Sequence, residues 1–283
     1  MMLSLGTAQF GFDYGICNNR GIVKKVEVLK ILKFCKFHQI LSIDTAQSYG
    51  KSHNVLSKTD LRKFKITSKL SPIKKKKIKN LETYIIFQVD KILADLGVKK
   101  IHSLLIHDAS QLEGQFGKHL YKILYKLKNK KFIKLGVSVY TKRELENIID
   151  NYKIDIVNMP ISVANQSFVK GNYLSKIKKK KIEIQARSVF LQGLLLCKIN
   201  DLPSKFKKNK FFCEWNKWLE FHNYDALDVC LGYLKNLKQV SKIIVGVNEL
   251  KQLKDILKAF KKNKKFKFMK FTQSSILRKP SKW

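Results

Sequence analysis

Four side chains in this sequence could hold and move protons as a group: Asp44, Tyr49, Lys69 and His107. They supply a carboxylate, a phenol, an amine and an imidazole, the groups on which general acid–base chemistry draws. Asp44, Lys69 and His107 each end a largely apolar segment: Leu41–Asp44, Lys65–Lys69 and His102–His107. Partial burial is therefore expected for all three. A buried lysine and a buried carboxylate must pair, or one of them must lose its charge. Tyr49 follows five residues after Asp44 in a short loop.

These residues can meet only if the elements that carry them converge. Short, branched-rich runs recur at Leu3–Leu5, Leu41–Asp44, Lys65–Lys69, His102–Ile106, Ile133–Ser138, Ile154–Met159, Ile182–Ser188 and Lys242–Val245. Most are separated by segments with helical spacing. Val28, Ile31, Leu32 and Cys35 share one face, as do Leu145, Ile148 and Ile149, and later Leu250, Leu253, Leu257 and Phe260. Strand followed by helix, repeated, means parallel strands joined by crossovers. Eight such units across 283 residues predict an α/β fold, a single-domain (β/α)8 TIM barrel. In that architecture the strand ends converge on one face. The residues at or just past the predicted ends are Gly6, Thr7, Asp44, Lys69, His107, Ser138, Asn158, Arg187, Ser188 and Gly246.

Residues 189–241 break the rhythm, being too long for one crossover helix. They predict an extended top loop after the seventh strand, then helices near Phe212–His222 and Asp225–Leu237. The basic tail Lys261–Trp283, with Phe266, Phe268 and Phe271 interleaved, fits either a final helix or an extended strap. No interdomain linker is evident.

Apolar runs are short, as at Leu194–Cys197, which excludes a membrane-spanning helix. The five cysteines (Cys17, Cys35, Cys197, Cys213 and Cys230) have neither paired nor metal-ligand spacing. With no secretory leader pattern at the start, the expectation is a cytoplasmic protein with reduced thiols and no bound metal. The net charge is +37, yet only five of the 58 basic residues are arginine. Proteins that read nucleic acids favour arginine for bidentate contacts. The lysine runs at 74–77, 128–131, 178–181 and 261–267 are also dispersed. Solvated lysine in ordinary surface positions is the simplest reading, and no specific nucleic-acid partner is expected.

The segment Asp44-Thr-Ala-Gln-Ser-Tyr49-Gly50 resembles the Asp-Thr-Ala-x-x-Tyr-Gly signature of the aldo-keto reductases. Lys69 in Ile66-Thr-Ser-Lys69 and His107 in Leu104-Leu-Ile-His107 stand where that family places its lysine and histidine. The segments Leu5–Gly11, Ala186–Gly193, Lys134–Ser138 and Ile243–Gly246 resemble those of its smaller bacterial members. The resemblance implies hydride transfer from a nicotinamide cofactor to an aldehyde or ketone. Tyr49 would donate the proton, with its pKa lowered by Lys69. Asp44 would orient Lys69, and His107 would direct the substrate oxygen.

The resemblance also marks cofactor-binding positions at Gly6, Thr7, Asp44, Ser138, Asn158, Arg187, Ser188, Gly246, Asn248 and Gln252. Val139 replaces the usual asparagine after the serine, and Arg187 the tyrosine that often stacks on nicotinamide. Gly246–Gln252 resembles the family's phosphate-binding turn, but Gln252 stands where an arginine is expected. Lys251 and Lys254 flank it, so NADP(H) is the favoured cofactor and NAD(H) remains possible. His53 and His102 replace family acids and are expected to have local surface or packing roles.

The expected partner is a small carbonyl compound, anionic or sugar-like given the lysines around it, with a monomer as the default state. Two other readings stay open at this point. One is a catalytically idle barrel that senses cofactor or binds protein. The other is a basic nucleic-acid-binding protein, although its lysine runs would fall on opposite rims.

Overall fold

The computed structural model describes residues 1–74, 78–262, 264–268, 271 and 275–278. Residues 75–77 of the first lysine run, Asn263, and the remainder of the expected tail lie outside the described residues.

Branched and apolar residues buried along nearly their whole length form eight parallel strands. These are β1 (Met2–Gly6), β2 (Ser42–Asp44), β3 (Lys65–Leu70), β4 (Ile101–Ile106), β5 (Phe132–Ser138), β6 (Ile156–Pro160), β7 (Glu183–Arg187) and β8 (Val240–Gly246). They lie in chain order around a closed barrel. Closure runs from Met2 opposite Lys242 to Gly6 opposite Gly246, so β1 and β8 finish level. No strand boundary departs from the sequence expectation by more than two residues.

The end of β6 matters for the site. β6 continues past Asn158, with Met159 opposite Ala186 and Pro160 opposite Arg187. Asn158 therefore sits inside the barrel, below its rim.

The helices are α1 (Ala8–Gly11), α2 (Lys25–Phe37), α3 (Ser52–Ser57), α4 (Leu81–Leu96), α5 (Gly114–Leu127), α6 (Lys142–Asn151) and α7 (Tyr173–Lys179). After β7 come α8 (Ser204–Lys207), α9 (Lys210–Phe221) and α10 (Ala226–Lys235), and after β8 comes α11 (Leu250–Lys261). In α4, Asn80 caps the start by accepting from the Thr83 N–H at 3.0 Å, and Gly97 ends the helix at φ 66°. Between them Ile85, Val89, Ile92, Leu93 and Leu96 are buried. α6 opens on a capping box between Thr141 and Glu144.

The long β7–β8 connection opens with two 3₁₀ turns, Leu191–Leu196 and Ile199–Asp201, before α8. Phe211, Phe212, Trp215 and Trp218 are buried on α9, and the Trp215 Nε1–H donates to the Leu195 carbonyl at 3.0 Å. Residues 264–268 run without helix or strand, as a strap would. Phe268 stacks on Trp218, and Phe271 meets Trp215 edge-on.

Candidate active site

Asp44 and Lys69 sit on adjacent strands, Asp44 ending β2 and Lys69 one residue short of the end of β3. Both side chains are almost completely buried. Lys69 Nζ lies 2.5 Å from Asp44 Oδ1, 3.1 Å from the Thr45 carbonyl and 3.3 Å from Tyr49 Oη. An ammonium has three protons, and here each has an acceptor. Tyr49 Oη accepts from Lys69, which leaves the phenolic proton free for another partner. His107 follows β4, and its ring stands edge-on to Tyr49 with centroids 6.1 Å apart. Ser48 Oγ lies 3.1 Å from His107 Nδ1, so Nε2 is left for a ligand.

The Tyr49 loop is held by close backbone packing. The Gln47 N–H donates to the Lys69 carbonyl at 3.1 Å, and the Lys51 N–H to the Gly11 carbonyl at 3.2 Å. A Cβ on Gly11 would fall 1.7 Å from the Tyr49 carbonyl oxygen. Gly50 adopts φ +52°, a conformation that costs glycine little. Helix α1 and the Tyr49 loop thus touch at their backbones.

The electrostatics assign protonation states. Burial pushes the Tyr49 phenol above its ordinary range, and the Lys69 ammonium only partly opposes this. The net direction is the reverse of the sequence expectation: desolvation of the phenolate outweighs the neighbouring charge. Tyr49 is therefore a protonated acid at neutral pH. Burial draws Lys69 down, but Asp44 and Tyr49 outweigh it and hold the ammonium charged. Burial, with Lys69 and Arg187 adding to it, lowers His107 to about 3 and keeps the imidazole neutral.

All four side chains line one cavity of about 560 Å³. Gly6, Thr7, Ser138, Arg187, Ser188, Gly246, Asn248 and Gln252 line it too. Asn158 does not: it is fully buried, and its Nδ2 donates to Asp44 Oδ2 at 3.4 Å. Its place is behind the acid, steadying Asp44.

Several cavity residues carried no sequence signal. Tyr140 takes the Arg187 guanidinium over its ring at 4.0 Å. Arg187 Nη2 donates to the Val139 carbonyl at 3.1 Å, while Nε has no partner. Tyr14, Asn18 and Arg20 come from the loop after α1, which the start of the β7–β8 connection clamps down. The Cys17 N–H donates to the Gln192 carbonyl at 3.2 Å, and Asn18 contacts Asn248. Such pairings join loops far apart in the chain and have no periodicity to announce them. His53, by contrast, packs as expected: it is buried, with Nε2 3.0 Å from Ser68 Oγ.

Some lysines of the runs are ion-paired on the barrel's outer surface. Lys128 pairs with Asp155 at 2.7 Å, Lys131 with Asp90 at 2.8 Å and Lys180 with Asp150 at 3.6 Å.

A closed barrel whose C-terminal rim gathers an acid, a phenol, an ammonium and a neutral imidazole in one cavity defines a class of barrel catalysts. The chain belongs to the aldo/keto reductase family, whose pattern matches residues 2–275. Solved structures share the fold, and two of them serve as examples. One is aldo-keto reductase AKR11C1 from Bacillus halodurans, in its holo form, at 15% identity and TM-score 0.73, covering 99% of this chain and 90% of that one. The other is PA4992 from Pseudomonas aeruginosa, described as an aldo-keto reductase, at 18% identity and TM-score 0.68, covering 91% and 88%. No curated protein matches the chain. Among the described residues no helix is long and apolar enough to cross a membrane.

Proposed function

We propose that the protein reduces the carbonyl of a small aldehyde or ketone, with Tyr49 as the proton donor. Membership of the family implies a nicotinamide cofactor, and the cavity residues suit one. Arg187 lines the cavity and has no carboxylate partner among the described residues, so its charge can meet an anionic ligand. Ser138, Arg187, Asn248 and Gln252 would hold the dinucleotide. When bound in reduced form, it supplies the hydride.

The chain's own residues do the rest. Lys69 donates to Tyr49 Oη and so stabilises the phenolate left after the proton departs. Asp44, steadied by Asn158, keeps Lys69 charged and aimed. The neutral His107 donates from Nε2 to the carbonyl oxygen when Ser48 donates to Nδ1, which orients the substrate. A protonated Tyr49 suits reduction better than alcohol oxidation at neutral pH. The 3.3 Å contact from Lys69 Nζ to Tyr49 Oη carries this reading, because it ties the acid to a charge that favours its ionised form.

An idle barrel would not need three acceptors converging on one buried ammonium. A nucleic-acid binder would need its lysines gathered on one face, whereas the runs are dispersed along the chain and several members, such as Lys128, Lys131 and Lys180, are ion-paired. Arg187, which has no carboxylate partner among the described residues, supports an anionic or sugar-like substrate. The five free cysteines are in keeping with a cytoplasmic protein. The support the sequence offered for NADP(H) rested on Lys251 and Lys254. Both are exposed, and neither belongs to the cavity lining. Cofactor oxidation across a panel of aldehydes, keto sugars and keto acids tests the proposal. Turnover of at least one class is expected, and none with any carbonyl compound contradicts it.

A further inference from the structure

Hydride delivery beside Tyr49 and His107 places the nicotinamide of the cofactor at that end of the cavity. The adenosine ribose then belongs at the opposite end, lined by Arg20, Asn248, Gln252 and Asp255. The chemistry of that end is unsuited to a phosphate. The Asn248 N–H already donates to Gln252 Oε1 at 2.7 Å. The Leu250 N–H, at the start of α11, donates to Glu27 Oε1 at 2.7 Å. Arg20 Nη1 is paired with Glu249 Oε2 at 3.1 Å. Lys30 is drawn to Glu27 at 3.4 Å.

Helix N-termini attract anions through their free N–H groups and dipole. Here a carboxylate from α2 has taken that place. The Leu250 N–H also holds the Glu27 carboxyl below its usual range, so it stays ionised. Asp255 lines this end of the cavity, Glu249 pairs with the Arg20 that lines it, and Glu27 takes the Leu250 N–H beside it. A 2′-phosphate with nearly two negative charges would meet repulsion from these carboxylates. A ribose 2′-hydroxyl is a donor, and a carboxylate is its natural acceptor.

We propose that the turn between β8 and α11 selects the unphosphorylated cofactor NAD(H), with Asp255 accepting from the ribose diol, Glu249 neutralising Arg20, and Glu27 occupying the Leu250 N–H at the helix start. The proposal rests on the nicotinamide reading above and reverses the preference the sequence suggested. The +37 charge favours NADPH only through the diffuse surface field, which physiological salt screens.

Calorimetric titration of the full chain with NADH and with NADPH, at physiological ionic strength, decides it. NADH should bind at least 10-fold more tightly. Glu249→Gln, which frees Arg20 and removes one charge, should narrow or reverse that ratio by 10-fold or more, chiefly by tightening NADPH. The wild-type ratio alone tests the selection, whatever the variant's stability. Equal affinities, or tighter NADPH in the wild type, would overturn the proposal while leaving the dinucleotide site in place. Binding of neither nucleotide would overturn both this proposal and the nicotinamide reading.

Discussion

Lys69 Nζ stands 2.5 Å from Asp44 Oδ1, an ion pair with both side chains almost entirely out of water. Burying two charges is costly unless each is fully partnered, and the Thr45 carbonyl and Tyr49 complete the ammonium's shell. Lys69→Met strands the Asp44 carboxylate, which costs about 3–5 kcal/mol of stability. It also leaves Tyr49 without its cation. Turnover should fall by roughly 10²–10⁴, the scale of a lost acid–base contribution. Asp44→Asn keeps a hydrogen-bond acceptor and should lose less. Thermal midpoints and kcat for both variants check this order; unchanged kcat in both would remove the pair from the mechanism.

The backbone of Gly11 sets the position of Tyr49. A methyl group there would sit 1.7 Å from the Tyr49 carbonyl oxygen and 2.6 Å from the Ser52 nitrogen, so the loop must move. Gly11→Ala should cost at least about 1–3 kcal/mol, the range for overpacking a close contact. It should also cut kcat by roughly 10-fold or more through loss of orientation. Thermal melts and kinetics on one preparation check both. Full activity in the alanine variant would show that the loop has slack.

The barrel and its site were legible in the sequence to different depths. Strand positions were readable because β-branched runs and helical faces alternate without interruption except at residues 189–241. Asp44, Lys69 and His107 stood out because each closes such a run with an ionisable group. Asn158 followed the same logic, and the structure sets it two residues before the end of β6, buried against Asp44 and not on the cavity lining. Arg20, Glu27, Ser48 and Tyr140 act through contacts between loops or helices distant in sequence, which no spacing encodes. The direction of the Tyr49 shift also needed structure, because burial and the Lys69 charge oppose one another.

His107 bears on the pH dependence of the rate. Burial holds its folded pKa at about 3, against 6.5 for the free group. Its imidazole therefore stays neutral through mildly acidic conditions. kcat should show no loss from His107 protonation between pH 7 and 5, windows set by those two values. A rate profile in wild type and His107→Gln checks it. An acid limb near pH 6.5 that disappears in the variant would show a charged imidazole instead.

His53 bears on the pH dependence of stability. Burial lowers it to about 4 from 6.5, and Ser68 Oγ lies 3.0 Å from its Nε2. Between those pH values the unfolded chain binds a proton that the folded chain refuses. Stability should therefore decline as pH falls from 6.5 toward 4, with His53 contributing on the order of 3 kcal/mol. Glu183, lowered to about 2 from 4.5, extends the loss below that window. Thermal midpoints against pH should fall less steeply in His53→Gln between pH 6.5 and 4. Equal slopes would move the effect to other groups.

The central claim is that Tyr49 supplies the proton while hydride passes to the carbonyl. Single-turnover oxidation of bound reduced nicotinamide, followed by absorbance after mixing with a turned-over aldehyde or ketone, tests it most directly. Tyr49→Phe removes one oxygen atom and leaves the ring, so nicotinamide affinity should be nearly unchanged. The oxidation rate should fall by roughly 10²–10⁴. A phenylalanine variant that binds the cofactor normally and oxidises it at half the wild-type rate or faster would contradict the assignment.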